Sequence, residues 1–181
     1  MPKNCSRRSL QTQSSPEPMI YLAFHRGESL ISRGIRLFEP PYSHVELWFP
    51  FQNIVVSADP EGVVEKQMPQ MVGSGSGDVV DLFTLVPQFA IPASEEREAF
   101  LAARKYVGTG YDYRSLFLGF TAKLPETKTS LQRMICSGVV LQWSRDVGRE
   151  LLARVQPDRA SPRLLSYSPL LRFSHSRILT K

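Results

Sequence analysis

Cys136 lies where an apolar stretch, "RMICSGVVLQW", turns into a helical pattern near Ser137. A thiol at a helix start meets the positive end of the helix dipole and unpaired backbone N–H groups, which favour thiolate over thiol. The same N–H groups can stabilise an oxyanion. The alternative interpretation is an ordinary buried cysteine, because free cysteine is among the most buried residue types and is usually inert. Position alone therefore makes Cys136 a candidate nucleophile and leaves both interpretations open.

A cysteine nucleophile needs a base, and the chain has three histidines. His44 is the best candidate, because the strand period of two in "YSHVELWF" places His44, Glu46 and Trp48 on one face. His25 ends the first apolar run and has no distinctive neighbours in the sequence. His175 lies in the polar, basic segment "RFSHSR" and is expected at the surface.

The second ring N–H of such a histidine needs an acceptor that fixes its tautomer. Three residues qualify for His44: Glu46 on the same face, Ser57 on the next strand and Asp59 at the following turn. Ser57 carries no charge, so its role would be to orient the ring or to hold a water molecule. The sequence leaves all three candidates open.

The elements that would position these residues change character halfway along the chain. The front half is predicted to be mainly antiparallel sheet, with strands in "MIYLAFHRG", "PPYSHVELWFPF" and "GSGSGDVVDLFTLVP" and a hairpin in "NIVVSADPEGVVEKQ". A helix is predicted between the first two strands, in "SLISRGIRLFE". The glycines at 73, 75 and 77 match neither phosphate-loop spacing and predict a flexible connector.

The back half is predicted to be helical, which gives the α+β class. One helix is predicted in "ASEEREAFLAARKYVG", with Ser94 as its cap, and a second follows Asp112 in "YDYRSLFLGF". A third starts near Ser137, and Ser161 caps a short fourth helix. The apolar stripe of the third helix comprises Val139, Val140, Trp143, Val147, Leu151 and Leu152.

The length of 181 residues predicts one domain, at 18–181, after a polar, disordered and basic leader at 1–17. The apolar fraction of 42% and the charged fraction of 22% are ordinary for a globular protein. The net charge of +5 favours anionic partners, but the arginines are scattered and no aromatic-and-basic platform accompanies them, so nucleic acid is an unlikely partner.

Two cysteines, Cys5 and Cys136, rule out a disulfide framework and make a thiolate zinc site improbable, so no metal or cofactor is expected. No segment resembles a membrane span or a signal peptide. The default expectation is a cytoplasmic protein, although phage-borne proteins and proteins secreted by signal-independent machines also lack such signals.

Four segments, taken in order, resemble the circularly permuted branch of the NlpC/P60 papain-like superfamily. They are "SHVELWF", "GTGYDYRSLFLGF", "MICSGVVLQW" and "ASPRLLSYSPLL", and the resemblance spans about residues 19–171. The order of histidine before cysteine marks the permuted branch, because other NlpC/P60 and papain enzymes place the cysteine first. The branch includes YiiX-like and YebB-like proteins, phage and poxvirus proteins, and the lecithin:retinol acyltransferase group.

The resemblance implies a central antiparallel sheet packed on helices, a dyad of Cys136 and His44, and a third polar residue on the strand that follows His44. That third position falls at or near Ser57, where family members more often carry Glu, Asn, Asp or His. Tyr111 matches the Tyr-Asp element of the family, which implies a wall of the active site and a hydrogen bond to an oxyanion. Backbone N–H groups near Ser137 would complete the oxyanion site.

Gly138 stands where the branch commonly shows an acidic residue, so we expect this position to shape the substrate side of the cleft. The function implied is a cysteine hydrolase that cleaves an amide in a peptidoglycan stem peptide or another peptide. One alternative is a lipid acyl hydrolase or acyltransferase. Another is a catalytically inactive interaction protein of a phage or effector system with the same fold. The expected partners are accordingly a peptide, the cell wall or a lipid.

Overall fold

The computed structural model describes residues 20–26, 40–67, 79–113 and 132–178. The strands are β1 Tyr21–His25, β2 His44–Phe49, β3 Ile54–Asp59, β4 Gly62–Gln67, β5 Val79–Leu85, β6 Gly110–Tyr111, β7 Arg133–Met134 and β8 Leu171–Ile178. The α-helices are α1 Glu96–Arg104, α2 Cys136–Asp146 and α3 Pro162–Ser166. Single 3-10 turns span Pro87–Phe89, Ala93–Glu95 and Pro157–Arg159.

Six of the strands form one sheet in the order β4-β3-β2-β1-β5-β8. Every neighbouring pair in this sheet is antiparallel. The short strands β6 and β7 pair in parallel as a second sheet. The predicted α+β class with a mainly antiparallel sheet is therefore confirmed.

The two faces of the sheet bury different sets of residues. Alternate residues of β2 point into the main core with α1 and α2: Val45, Leu47 and Phe49. Trp48 lies in a second buried cluster, where it stacks on Tyr21 at a ring distance of 4.9 Å. Trp143 of α2 is fully buried, and its Nε1 donates to the backbone oxygen of Ala99 at 2.9 Å, which ties α2 to α1.

The ladder between β2 and β3 ends before either strand does. It pairs Phe49 with Ile54 and stops at Leu47 and Val56, whereas β3 continues to pair with β4 as far as Asp59. The first half of β2 therefore parts from β3. Helix α2 packs against both of these strands.

The hairpin of β3 and β4 forms as the sequence predicts. Asp59 pairs with Gly62 across the turn, and Gly62 has a φ of +122°, which only glycine adopts without strain. An alanine Cβ at Gly62 would lie 2.6 Å from the backbone oxygen of Thr109. The turn thus needs glycine for its conformation and for its close approach to the chain that leads into β6.

The prediction that Ser94 caps α1 is wrong. Ser94 lies inside the 3-10 turn, and Glu95 takes the N-cap position without a side-chain hydrogen bond to the helix. The acidic first turn is present as predicted, with Glu96 and Glu98 next to the positive end of the helix dipole. The helix therefore starts with favourable charges in its first turn and without a hydroxyl cap.

The predicted length of α2 is also wrong. The helix starts at Cys136 and ends at Asp146, because Gly148 has a φ of +67° and turns the chain out of the helix. Leu151 is buried, but it lies beyond the helix, so the predicted helical stripe does not reach Leu151 and Leu152.

The C-terminal segment contains both a confirmed and a missed element. Ser161 caps α3 as predicted, since its Oγ accepts from the backbone N–H of Leu164 at 3.1 Å and Pro162 takes the first helical position. The segment around His175, in contrast, was not predicted to be a strand and forms β8. A bulge at Ser174 interrupts the pairing of β8 with β5, so the strand shows no clean alternation.

Four predictions fall outside the described residues. They concern the leader at 1–17, the helix at 29–39, the glycine loop at 73–77 and the helix predicted after Asp112. Within the described ranges, no helix has the length and apolar character needed to cross a membrane.

Candidate active site

His44 is the first residue of β2, and its side chain is 23% exposed. Its Nε2 lies 2.9 Å from Ser57 Oγ and 3.1 Å from Glu46 Oε1. Two of the three predicted partners therefore contact the same ring nitrogen. The strand period brings Glu46 to the ring, and the neighbouring strand β3 brings Ser57.

The third predicted partner, Asp59, acts through Ser57. Asp59 Oδ1 is 3.9 Å from His44 Nε2, which is too far for a direct hydrogen bond, but it accepts the Ser57 hydroxyl proton at 2.8 Å. Since Ser57 donates its one proton to Asp59, its oxygen is free to accept the N–H of His44 Nε2. Lys66 on β4 forms an ion pair with Asp59 from the other side.

Cys136 is the first residue of α2 and is 5% exposed. Its sulfur is hydrogen-bonded with the His44 side chain and with the backbone N–H groups of Val45 and Ser137. Because Nε2 of His44 contacts Ser57 and Glu46, Nδ1 is the ring nitrogen that remains for the sulfur. The start of α2 and the open end of β2 thus meet at this sulfur.

The electrostatics of the site favour a thiolate and an imidazolium. Burial raises the pKa of the Cys136 thiol, but His44 and the two backbone N–H groups outweigh it, so this pKa lies below its ordinary value. Burial lowers the pKa of His44, but Cys136 and then Glu46 outweigh it and hold this pKa well above its ordinary value. Each charge of the pair therefore stabilises the other.

Tyr111 lies beside the pair. It is opposite Met134 in the parallel pairing of β6 and β7, and its ring centroid is 5.0 Å from that of Tyr113. Burial and the nearby Cys136 both raise the pKa of Tyr111, so its phenol keeps its proton. The Tyr113 hydroxyl donates to the backbone oxygen of Pro60 at 2.7 Å, which holds this short strand against the β3–β4 turn.

The Ser137 hydroxyl has a structural role. It is fully buried and donates to the backbone oxygen of Ala160 at 2.6 Å. Ser137 therefore contributes its backbone N–H to the site and not its side chain.

Gly138 lies where α2 packs against the 3-10 turn Pro157–Arg159, and an influence of this position on the substrate side of the cleft stays a prediction. A Cβ at this position would lie 2.8 Å from the backbone oxygen of Pro157. Glycine at 138 thus allows α2 to pack closely against the 3-10 turn that starts at Pro157. An acidic side chain would not fit in this interface.

Sequence reasoning missed His25, which has a distinctive neighbour after all. His25 ends β1 directly opposite His44, and its side chain is 7% exposed. Its Nε2 lies 3.2 Å from Glu46 Oε2, at an angle that is poor for a hydrogen bond. Eighteen residues separate His25 from His44 in the sequence, so no local pattern indicated that the two strands pair and that the two histidines lie opposite each other.

Three side chains of the site have the donor types of a metal site. His44, Glu46 and Asp59 each offer one ligand atom, and these atoms lie within 4.8 Å of one another. These donors already have partners, however, since Asp59 pairs with the ammonium of Lys66 and Nε2 of His44 contacts Ser57. A cation would have to displace a lysine, so the residues do not fit a resident metal.

No protein-family model and no curated protein matches the sequence. The fold resembles the crystal structure of the metalloprotein YiiX from Escherichia coli O157:H7, assigned to DUF1105. The TM-score is 0.64, the sequence identity is 18%, and the match covers 88% of this chain and 97% of the other. The shared fold shows that this chain is a protein of the α+β class. It agrees with the resemblance of the sequence to YiiX-like and YebB-like proteins.

Proposed function

We propose that this protein is a cysteine hydrolase of the permuted papain-like type, with Cys136 as nucleophile and His44 as base. One observation carries the proposal: the sulfur of Cys136 is hydrogen-bonded with the side chain of His44, while Nε2 of that ring lies 2.9 Å from Ser57 and 3.1 Å from Glu46. Nucleophile, base and orienting groups are the three parts that thiol catalysis requires.

In the first half of the reaction, the Cys136 thiolate attacks the carbonyl carbon of an amide, and a C–S bond forms as the carbonyl electrons move onto oxygen. The His44 imidazolium gives its proton to the leaving amine when the C–N bond breaks. Glu46 and Ser57 keep the ring oriented throughout. The products are a free amine and an acyl-enzyme.

In the second half, neutral His44 removes a proton from water, and the hydroxide attacks the acyl carbon. The C–S bond breaks, the product leaves as a carboxylic acid that gives its proton to the solvent, and the thiolate–imidazolium pair is restored. The oxyanion of each tetrahedral intermediate would accept hydrogen bonds from the backbone N–H groups at the start of α2 and from the protonated Tyr111.

For the substrate we favour an amide in a peptidoglycan stem peptide or another peptide. The net charge of +5 suits an anionic polymer such as a cell wall. The same charge suits an anionic lipid surface, so the experiment must include both classes of substrate. A protein that turns over neither one and has an unreactive thiol would be an interaction protein with the same fold.

The dyad is tested by the rate of Cys136 alkylation with iodoacetamide as a function of pH, in a Cys5→Ser background. The pKa of the thiol is lowered and the pKa of His44 is raised, so the thiolate–imidazolium pair is present at pH values between these two pKa values. The alkylation rate should therefore stay level from about pH 8 down to about pH 6. In His44→Ala the rate should fall as the pH drops below about 8.5, the ordinary thiol value. An ordinary thiol titration in the unchanged protein would contradict the dyad.

The substrate is tested by incubating the wild-type protein and Cys136→Ala with purified peptidoglycan and, separately, with phospholipid vesicles. Mass spectrometry of the products should show new amine and carboxylate ends in the peptidoglycan with the wild-type protein alone. Fatty acid release from the vesicles would instead assign the protein to the lipid-hydrolase alternative. His175→Ala, which changes a histidine on the edge strand β8, is the matched control.

A further inference from the structure

His25 is a buried titratable residue that the proposed reaction does not use. It is the last residue of β1 and lies opposite His44, with ring centroids 5.5 Å apart. Its side chain is more than nine-tenths buried, as is that of Glu46. Two imidazoles and one carboxylate are thus enclosed together at the open end of β2.

Glu46 divides its two oxygens between the two histidines. Oε1 lies 3.1 Å from Nε2 of His44, and Oε2 lies 3.2 Å from Nε2 of His25. Without His25, the buried carboxylate of Glu46 would have no polar group facing Oε2, and burying an unpaired charged group costs about 1–3 kcal/mol or more. It would then take up a proton or turn away from the ring it supports.

We propose that His25 is a positioning residue of this site, which holds Oε2 of Glu46 so that the carboxylate stays ionised and keeps Oε1 against His44. The inference rests on the proposed function of Cys136 and extends it to a second histidine. His25 touches neither the sulfur nor the substrate, so it acts through Glu46 and His44.

The surroundings of His25 support this role. Its partner on β5 is Val80, which has no charge, and the guanidinium of its chain neighbour Arg26 donates to Asp81 instead. On β2 the titratable groups that face it are Glu46 and His44. Burial raises the pKa of Glu46, but His25 and then His44 outweigh it and hold this pKa well below its ordinary value.

The test compares His25→Leu with His25→Gln in the Cys5→Ser background, using the pH profile of Cys136 alkylation between about pH 4 and about pH 9. Leucine removes the imidazole that faces Oε2, so Glu46 takes up a proton at higher pH, and the acid limb of the profile should move up by about one unit. The glutamine amide can donate to Oε2 but carries no charge, so the acid limb of His25→Gln should move less than that of His25→Leu.

A second pair of variants separates positioning from folding. In a Glu46→Gln background, His25→Leu should change the profile no further, because the group through which His25 acts is already neutral. His25→Asn, whose shorter amide falls short of Oε2, should behave like His25→Leu and replaces it if the leucine variant does not fold. Urea unfolding checks that all compared variants are folded, and His175→Leu is the control.

Two results would overturn the role of His25. One is an unchanged acid limb in both His25→Leu and His25→Asn, and the other is a limb in His25→Gln displaced as far as in the leucine variant. Failure of the proposed function looks different, because it is visible in the unsubstituted protein as an ordinary thiol titration near about pH 8.5. In that case the proposed function and the role assigned to His25 would both be wrong.

Discussion

His44 uses its two ring nitrogens for different tasks. Nε2 faces Ser57 and Glu46, and Nδ1 is left for the sulfur of Cys136. A histidine held in this way has one tautomer available when neutral, with its proton on Nε2. In the proposed reaction, the base would therefore be oriented before any substrate arrives.

Ser57 and Asp59 should behave as one unit, because Asp59 reaches His44 through the Ser57 hydroxyl. Ser57→Ala removes the link and Asp59→Asn removes the charge behind it. Each change should slow Cys136 alkylation at pH 6 by about three- to tenfold, in line with the loss of one hydrogen bond of ordinary strength.

The double variant Ser57→Ala/Asp59→Asn should be no slower than either single variant, since members of one chain of hydrogen bonds are not additive. Glu65→Gln serves as the control, because it neutralises a carboxylate on β4 that pairs with Arg104 and not with His44. A double variant whose losses multiply would show that Asp59 acts on the site independently of Ser57.

At the level of elements, the site exists because β2 and β3 part at one end. Their pairing stops at Leu47 and Val56, so the backbone N–H of Val45 is directed to the Cys136 sulfur at the start of α2. On the far side, the β3–β4 turn supports the strand that carries Tyr111. The backbone N–H of Val63 donates to the Thr109 oxygen at 2.8 Å and completes this support.

Gly62→Ala should disrupt that support. The substitution forces alanine into a φ of +122° and places its Cβ 2.6 Å from the backbone oxygen of Thr109. Gly148→Ala is the matched control, because its φ is also positive, at +67°, but nothing lies within 4 Å of its Cβ. The control should lose about 1 kcal/mol from backbone strain, and Gly62→Ala about 3 kcal/mol, measured by urea unfolding.

The same substitution should also affect the site through β6, which carries Tyr111. Gly62→Ala should also lower turnover on the cleaved substrate at temperatures where the variant is folded, because β6 loses its support. Equal free energies of unfolding for the two glycine variants would contradict the contact with Thr109.

For the whole molecule, the local amino-acid patterns predicted the order of most helices and strands along the chain. They predicted the residues at which these elements begin and end poorly. The hairpin could be predicted because Asp59, Pro60 and Gly62 are strong turn residues between β-branched runs. The strand β8 could not be predicted, because a bulge interrupts the alternation of its inward and outward residues and its partner β5 is about ninety residues away in the sequence. β8 forms because it pairs with a distant strand, and no local sequence pattern indicates that pairing.

In the candidate site, too, the residues with local sequence signals could be predicted, and those that depend on long-range pairing could not. Cys136 and His44 were predicted from a helix start, a strand period and a resemblance, all of which are local. The sequence left Glu46, Ser57 and Asp59 as alternatives, whereas the structure brings all three to one ring nitrogen, directly or through a hydroxyl. His25 was overlooked because its importance depends on which strand β1 lies beside.

The charges of the whole site lead to a last prediction, about metal. Asp59 pairs with Lys66, and the remaining donors face one another, so the protein as purified should contain no stoichiometric transition metal by mass spectrometry. Dialysis against a chelator should leave the pH profile of Cys136 alkylation unchanged. Lys66→Met frees the Asp59 carboxylate beside His44 and Glu46, so this variant should bind Zn²⁺ more tightly than the wild-type protein in a calorimetric titration. One equivalent of metal in the wild-type protein, with a profile that changes on its removal, would show that the cluster is a metal centre.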